Sequence, residues 1–106
     1  MGDDEVEKYN PAAAAIFKAL GDENRWRILE TLKEGERCAC VLLTRMQIGQ
    51  STLSHHMKVL CESGLVESRQ EGKWTHYQLS RTGRDYAVKL LLELTTPVTE
   101  QGTPLE

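Results

Sequence analysis

A mainly α-helical fold carrying one small β-hairpin is predicted by three features of this sequence. Apolar residues recur at the helical spacing in successive stretches along most of the chain. Two of those stretches, one from Cys38 to Met46 and one running from Gln50 to the residue before Gly64, are joined only by Gln47-Ile48-Gly49. Two short helices with such a Gly-containing connection make a helix-turn-helix. Immediately after Gly64 the period changes to that of paired strands, with a Gly-containing turn between them. A hairpin placed behind the second helix of a helix-turn-helix is a wing, so the predicted architecture is a winged helix-turn-helix.

Each element has its own local reason. Residues 1–9 hold Asp3, Asp4, Glu5 and Glu7 with little to bury, which predicts a mobile acidic arm. Asn10-Pro11 starts the first helix as cap and first helical residue, and Ala13, Ile16, Phe17 and Leu20 line one face up to Gly21. Asp22 can cap a second helix to about Lys33, with Ile28, Leu29 and Leu32 inward and Glu34-Gly35 closing it. The Cys38–Met46 helix turns Ala39, Leu42, Leu43 and Met46 inward. In the next helix Leu53, Met57 and Leu60 form an apolar stripe, while Ser51, Ser54, His55, Lys58 and Glu62 point away from it. Residues 65–69 and 74–79 read as the hairpin strands, with a turn over residues 70–73 and Trp74 as the packed base of the wing. Ser80 or Thr82 caps a last helix to about Leu94, and residues 96–106 read as a flexible tail. One domain, residues 10–95, therefore carries the fold.

The last helix is apolar on two sides: Ala87, Leu90, Leu91 and Leu94 make one stripe, Val88 and Leu92 another. A helix apolar on two faces needs two covers. In a chain of 106 residues the second cover is most simply another copy of the protein, which predicts a homodimer; the alternative is that the first helix covers it within one subunit.

Composition bounds the rest. The chain is 40% hydrophobic and 27% charged, an ordinary balance for a water-soluble domain. Its most apolar run, residues 87–92, is broken by Lys89, and the Met-Gly-Asp-Asp-Glu start is unlike a secretory signal, so the expectation is a cytoplasmic protein with no membrane partner. The net charge of −3 is concentrated at the ends; residues 10–95 hold 12 Lys/Arg against 10 Asp/Glu. A phosphate-binding face needs local rather than global positive charge. No Ser-His-Asp-like set, phosphate loop or carboxylate pair stands in a recognisable setting, so an enzyme is not expected.

Short hydrogen-bonding side chains on a helix that begins just after a turn suit the major groove of double-stranded DNA. Gln50, Ser51, Thr52, Ser54 and His55 are the candidates for base edges or flanking phosphates, Lys58 for the backbone, and Arg69 and Lys73 of the wing for neighbouring phosphates. A dimer would read an inverted repeat with half-sites roughly 34–36 Å apart.

Cys38 and Cys40 call for separate explanation. On a regular helix residues two apart diverge by about 200° and cannot chelate one ion, whereas in extended backbone they share a face. Chelation by this pair therefore requires an irregular first turn, and ligand binding there would distort the helix that supports the reading helix. Adjacent Arg37 and the helix N-terminus both favour thiolate, which selects soft ions. Arsenite or antimonite would want a third sulfur; a trivalent methylarsenite needs only two. Cys61 reads as a half-buried packing residue that would become a third ligand only by approaching the pair. His55 and His56 are about 100° apart and do not form a facing pair; His56 lies at the core edge, as a hydrogen-bonded structural histidine would. The spacings of a zinc finger are absent.

With these residues in place, the chain closely resembles the ArsR/SmtB family of winged-helix, metal-responsive repressors. The resemblance rests on residues 20–29 (Leu-Gly-Asp-Glu-Asn-Arg-Trp-Arg-Ile-Leu), Cys38-Ala39-Cys40, residues 50–56 (Gln-Ser-Thr-Leu-Ser-His-His), residues 60–66 and residues 71–77. It implies a homodimer formed by the first and last helices, and operator binding that is released when a metal or metalloid binds. In that family, cysteines at the start of the first helix-turn-helix helix are the sensing position for arsenic, antimony or cadmium and lead. A third cysteine usual there is Leu43 here, and the last helix lacks the family's histidine ligands beyond Asp85. The function implied is a repressor released from DNA when arsenite, antimonite or methylarsenite binds Cys38 and Cys40. Two alternatives are a thiol redox switch on the same fold and a winged-helix module that docks proteins.

Overall fold

Asn10 caps the first helix: its side chain accepts a hydrogen bond from the backbone N–H of Ala12 at 3.0 Å, and Pro11 supplies a first helical residue that needs no partner for its nitrogen. In the computed structural model, which describes residues 10–98, helix α1 spans Pro11–Ala19 and α2 Glu23–Leu32. The short strand β1 is Arg37–Cys38, followed by helices α3 (Ala39–Met46) and α4 (Gln50–Ser63). Strands β2 (Val66–Glu71) and β3 (Trp74–Leu79) and helix α5 (Arg81–Thr95) complete the chain. The expected acidic arm over residues 1–9 and the tail beyond residue 98 lie outside the described residues.

The predicted helices appear with their caps. Asp22 Oδ1 accepts from the N–H groups of Asn24 and Arg25 at 2.8 and 3.2 Å, and Ser80, not Thr82, caps α5 through the N–H of Gly83 at 3.0 Å. Between α3 and α4 the left-handed residue is Gln47 (φ 56°), not Gly49, which stays extended as the N-cap of α4. Gly64, with φ 86°, ends α4 where the chain reverses into the sheet.

Two expectations are corrected. The helix expected from Cys38 begins at Ala39, because Cys38 pairs with His76 as Arg37 pairs with Tyr77; the hairpin is thus part of a three-stranded antiparallel sheet in the order β1-β3-β2. The hairpin is also longer than expected, with Glu71 paired to Trp74 and only Gly72-Lys73 between them. Positive φ at Gly72 alone suits the two-residue turn that keeps strands twisted together. That tight tip leaves Trp74 half exposed rather than packed beneath the wing.

The core lies where α2, α3, α4 and the start of β2 converge: Ile28, Leu32, Leu42, Met46, Leu53, Met57, Leu60 and Val66 are buried together with Ala19 of α1. It holds α4 by the predicted Leu53-Met57-Leu60 stripe. At the far end of α4, Gly83 of α5 lies against the Gly64 carbonyl so closely that a Cβ there would stand 1.8 Å from its oxygen.

Candidate nucleic-acid interface and thiol pair

The turn and the buried stripe of α4 leave one polar face outward. Gln50, Ser51, Thr52, Ser54, His55 and Lys58 are all exposed, and Glu62 follows them at the C-terminal end. Gln50, Ser51 and Thr52 occupy the first turn, where backbone N–H groups without intrahelical partners also face outward.

What fixes α4 from behind is a polar contact that sequence reading identified only in half. His56 is buried, as expected of a structural histidine, and its Nδ1 lies 3.0 Å from Nη1 of Arg25, itself buried at the start of α2. The same guanidinium donates from Nε to the Ala19 carbonyl at 2.8 Å and from Nη2 to the Lys18 carbonyl at 3.3 Å. One side chain therefore joins the end of α1 to the back of α4. Because Arg25 can only donate, Nδ1 of His56 accepts and the ring is neutral. Burial first, and then the Arg25 and His55 charges, hold the His56 pKa below its ordinary value against the opposing pull of Asp22. No spacing rule links residues 25 and 56, so only the fold could reveal the pair.

On the sheet, side chains alternate between an inner and an outer face. Val66, Ser68, Tyr77 and Arg37 belong to the inner set, and Cys38, His76, Arg69, Glu71 and Trp74 to the outer. Arg69 forms a two-pronged ion pair with Glu36, both contacts at 2.8 Å, and a third contact with Glu71 at 3.1 Å. Its guanidinium is thus already engaged, and holds the Glu36 carboxyl below the usual carboxylate range. Lys73, at the hairpin tip, has no ion-pair partner within the described residues.

The thiol pair sits where β1 becomes α3. Cys38 is extended (φ −70°, ψ 147°) and is the N-cap of α3, its sulfur accepting from the N–H of Cys40 at 3.3 Å. The two Sγ atoms are 2.6 Å apart. The irregular first turn that chelation requires is therefore built into the fold, with no unwinding of α3 needed to bring the sulfurs together. The Cys40 thiol, followed by the backbone N–H groups of Cys40 and Val41, pulls the Cys38 pKa down, while the neighbouring sulfur pushes that of Cys40 up. Within the pair, Cys38 is therefore the thiol that gives up its proton more readily. Arg37, expected to assist, turns to the opposite face and donates to the Glu36 carbonyl and the Glu34 carboxylate. Cys61 packs against the core beside Ser68 and Tyr77, on the inner side of the sheet. Cys38 is on the outer side, so the structure does not bring Cys61 to the pair.

Residues 22–68 match the family of bacterial regulatory proteins named arsR. The arsenical resistance operon repressor of Staphylococcus xylosus is 47% identical over 73 residues, covering 69% of this chain and 70% of that one. Among solved structures, the homodimeric winged helix-turn-helix DNA-binding domain from Mycobacterium bovis is 30% identical with a TM-score of 0.63, over 77% of this chain and 78% of that one. Reduced HlyU from Vibrio cholerae N16961 is 35% identical with a TM-score of 0.64, over 86% and 96% of the two chains.

Proposed function

Because the chain belongs to the ArsR family of DNA-binding transcriptional regulators, which are not enzymes, we propose that it is a homodimeric repressor whose operator binding is controlled at Cys38 and Cys40. The observation that carries this reading is the contact of the two sulfurs at the N-cap of α3, the helix that leads into α4. Two convergent thiols, one of them acidified, suit a thiophilic trivalent species. A methylarsenite is satisfied by two sulfurs; arsenite or antimonite takes its third from elsewhere. The likeness to an arsenical resistance repressor supports an inducer of this class.

On the DNA side, Ser51, Thr52, Ser54 and His55 face base edges, with Gln50 and Lys58 at the flanking phosphates and Lys73 at the phosphates beyond. Arg69 reaches a phosphate only by exchanging Glu36 for it, so its first task is to brace the wing. The dimer forms through α1 and α5, where Phe17, Ala13, Leu90 and Leu94 line a groove of about 550 Å³ and Val88, Leu91 and Leu92 remain exposed. Likeness to a homodimeric winged-helix domain supports a dimer. An inverted-repeat operator follows from the two-fold symmetry.

A gel-shift titration on the DNA upstream of the protein's own gene tests the proposal. Methylarsenite is expected to release the wild-type complex and to leave a Cys38→Ser/Cys40→Ser complex intact. Failure of arsenite, antimonite and methylarsenite alike to release the wild type, or release of the double variant, overturns it. A second reading, a thiol redox switch, draws on the same sulfur contact and on the likeness to a regulator known in a reduced form. Reversible loss of DNA binding with oxidant and no effect of arsenicals would establish that reading instead.

A further inference from the structure

A row of charged side chains on the outer face of the sheet ties the thiol pair to the wing. Glu36, two residues before Cys38, sends its carboxylate to the Arg69 guanidinium, with both contacts at 2.8 Å. Arg69 stands on β2, and β3 lies between β2 and β1 in the sheet. The fork therefore crosses the central strand, bridging backbones roughly 10 Å apart, two strand spacings. Beyond Arg69, Glu71 makes a contact at 3.1 Å and also lies 3.4 Å from Nε2 of His76, the residue directly opposite Cys38. The row thus begins and ends beside Cys38.

An isolated exposed ion pair contributes little to stability. A two-pronged guanidinium–carboxylate pair within a network is different, because parallel contacts fix direction as well as distance. Among the described residues no backbone pairing does the same work: β1 is two residues long and pairs only with β3.

Inducer capture acts at one end of this row. Two sulfurs bonded to one arsenic stand farther apart than the 2.6 Å that separates Cys38 and Cys40, so capture parts them. It also draws the Cys38 sulfur from the Cys40 N–H that it caps. Helix α3 is anchored in the core by Leu42 and Met46, both buried, so the displacement falls on the short β1 and on Glu36 before it.

We propose, resting on the reading of Cys38 and Cys40 as the inducer pair, that Glu36 and Arg69 are the positioning residues that carry inducer capture to the wing. While the thiols are free, the fork holds β2 and the hairpin in the orientation that meets DNA. When β1 moves, the fork parts and the wing loses its brace. The fork is the element with two states that links the two sites, as coupling between them requires.

The test is the ratio of operator Kd with and without methylarsenite, measured by fluorescence anisotropy on the reduced full-length protein. Methylarsenite uptake is followed separately, by competition with a small dithiol. Glu36→Gln and Arg69→Gln should each lower the ratio at least about 5-fold while still taking up one methylarsenite per protomer. The double variant should lose little more than either single one, as expected of residues that act as a pair. Arg69→Lys keeps the charge without the fork and should lose the response as Arg69→Gln does. A merely structural brace would weaken operator binding equally with and without inducer. A wild-type ratio in Glu36→Gln and Arg69→Lys therefore overturns the proposal and leaves the thiol pair standing. In the unaltered chain, the Arg69 Nε–H proton resonance, shifted downfield by its bond to Glu36, is expected to move upfield when methylarsenite is added; an unmoved resonance overturns the proposal without any variant having to fold. If methylarsenite does not release the wild type from its operator, the reading of the pair fails and this proposal with it.

Discussion

A single buried imidazole links this fold to pH. His56 is neutral in the folded chain because Arg25 donates to it, and burial keeps its pKa below that of an exposed histidine. Below the ordinary value of 6.5 the unfolded chain takes up a proton that the folded chain resists. The unfolded state then binds more protons, and stability falls as pH drops, until the folded pKa is reached. Thermal melts at fixed protein concentration should show Tm declining as the pH is lowered from 7.5 to below 6.5, with this component lost in His56→Gln. A variant whose Tm keeps the full wild-type decline would show that another group carries it. The placement of His56 at the core edge was legible from helical periodicity. Its partner was not, since Arg25 is a charged residue on another helix whose burial depends on two carbonyls at the end of α1.

Among the elements, α4 is the one whose two faces follow from the order of its residues. Its outward residues give separable expectations. Ser54→Ala should cost about 0.5–1.5 kcal/mol on the correct operator and relax preference at one position, whereas Lys58→Ala should weaken binding to all sequences and lower the salt slope by about 1. Binding measured at several salt concentrations on specific and scrambled DNA separates the two; equal loss on both DNAs for Ser54→Ala would remove it from base reading. The junction of α4 with α5 depends on Gly83, where a methyl group would meet the Gly64 carbonyl. Gly83→Ala should destabilise by roughly 2 kcal/mol or more, a Tm decrease of about 10 °C for a chain of this size. An unchanged melt would mean that α5 can shift freely on α4. By contrast, β1 was hidden from sequence reading. Two residues are too few for a period, and Arg37-Cys38 becomes a strand only because β3 offers it an edge.

For the whole molecule, the described residues leave much apolar surface uncovered. The radius of gyration is 16.9 Å, against roughly 12–13 Å for a compact domain of this length. No residue of α5 is buried, and Leu91, Leu92 and Leu94 are 50, 60 and 70% exposed. Leu92→Asp should therefore leave the core of α2, α3 and α4 intact and convert the dimer to monomer, lowering operator affinity at least about 10-fold. Sedimentation equilibrium together with a gel shift checks this. A variant that remains dimeric would move the interface away from α5.

The sequence by itself determined the succession of helices, the hairpin after Gly64, the polar face of α4 and the two apolar faces of α5, because period and caps are local properties. Tertiary structure decided what the cysteines can do. Cys38 is not helical, because the edge of β3 takes it as a strand residue before α3 begins, and this conformation lets its sulfur meet that of Cys40. The same pairing turned Arg37 to the opposite face of the sheet from the pair. Which residues share a sheet face depends on register between strands, and register is settled only when the chain folds back on itself.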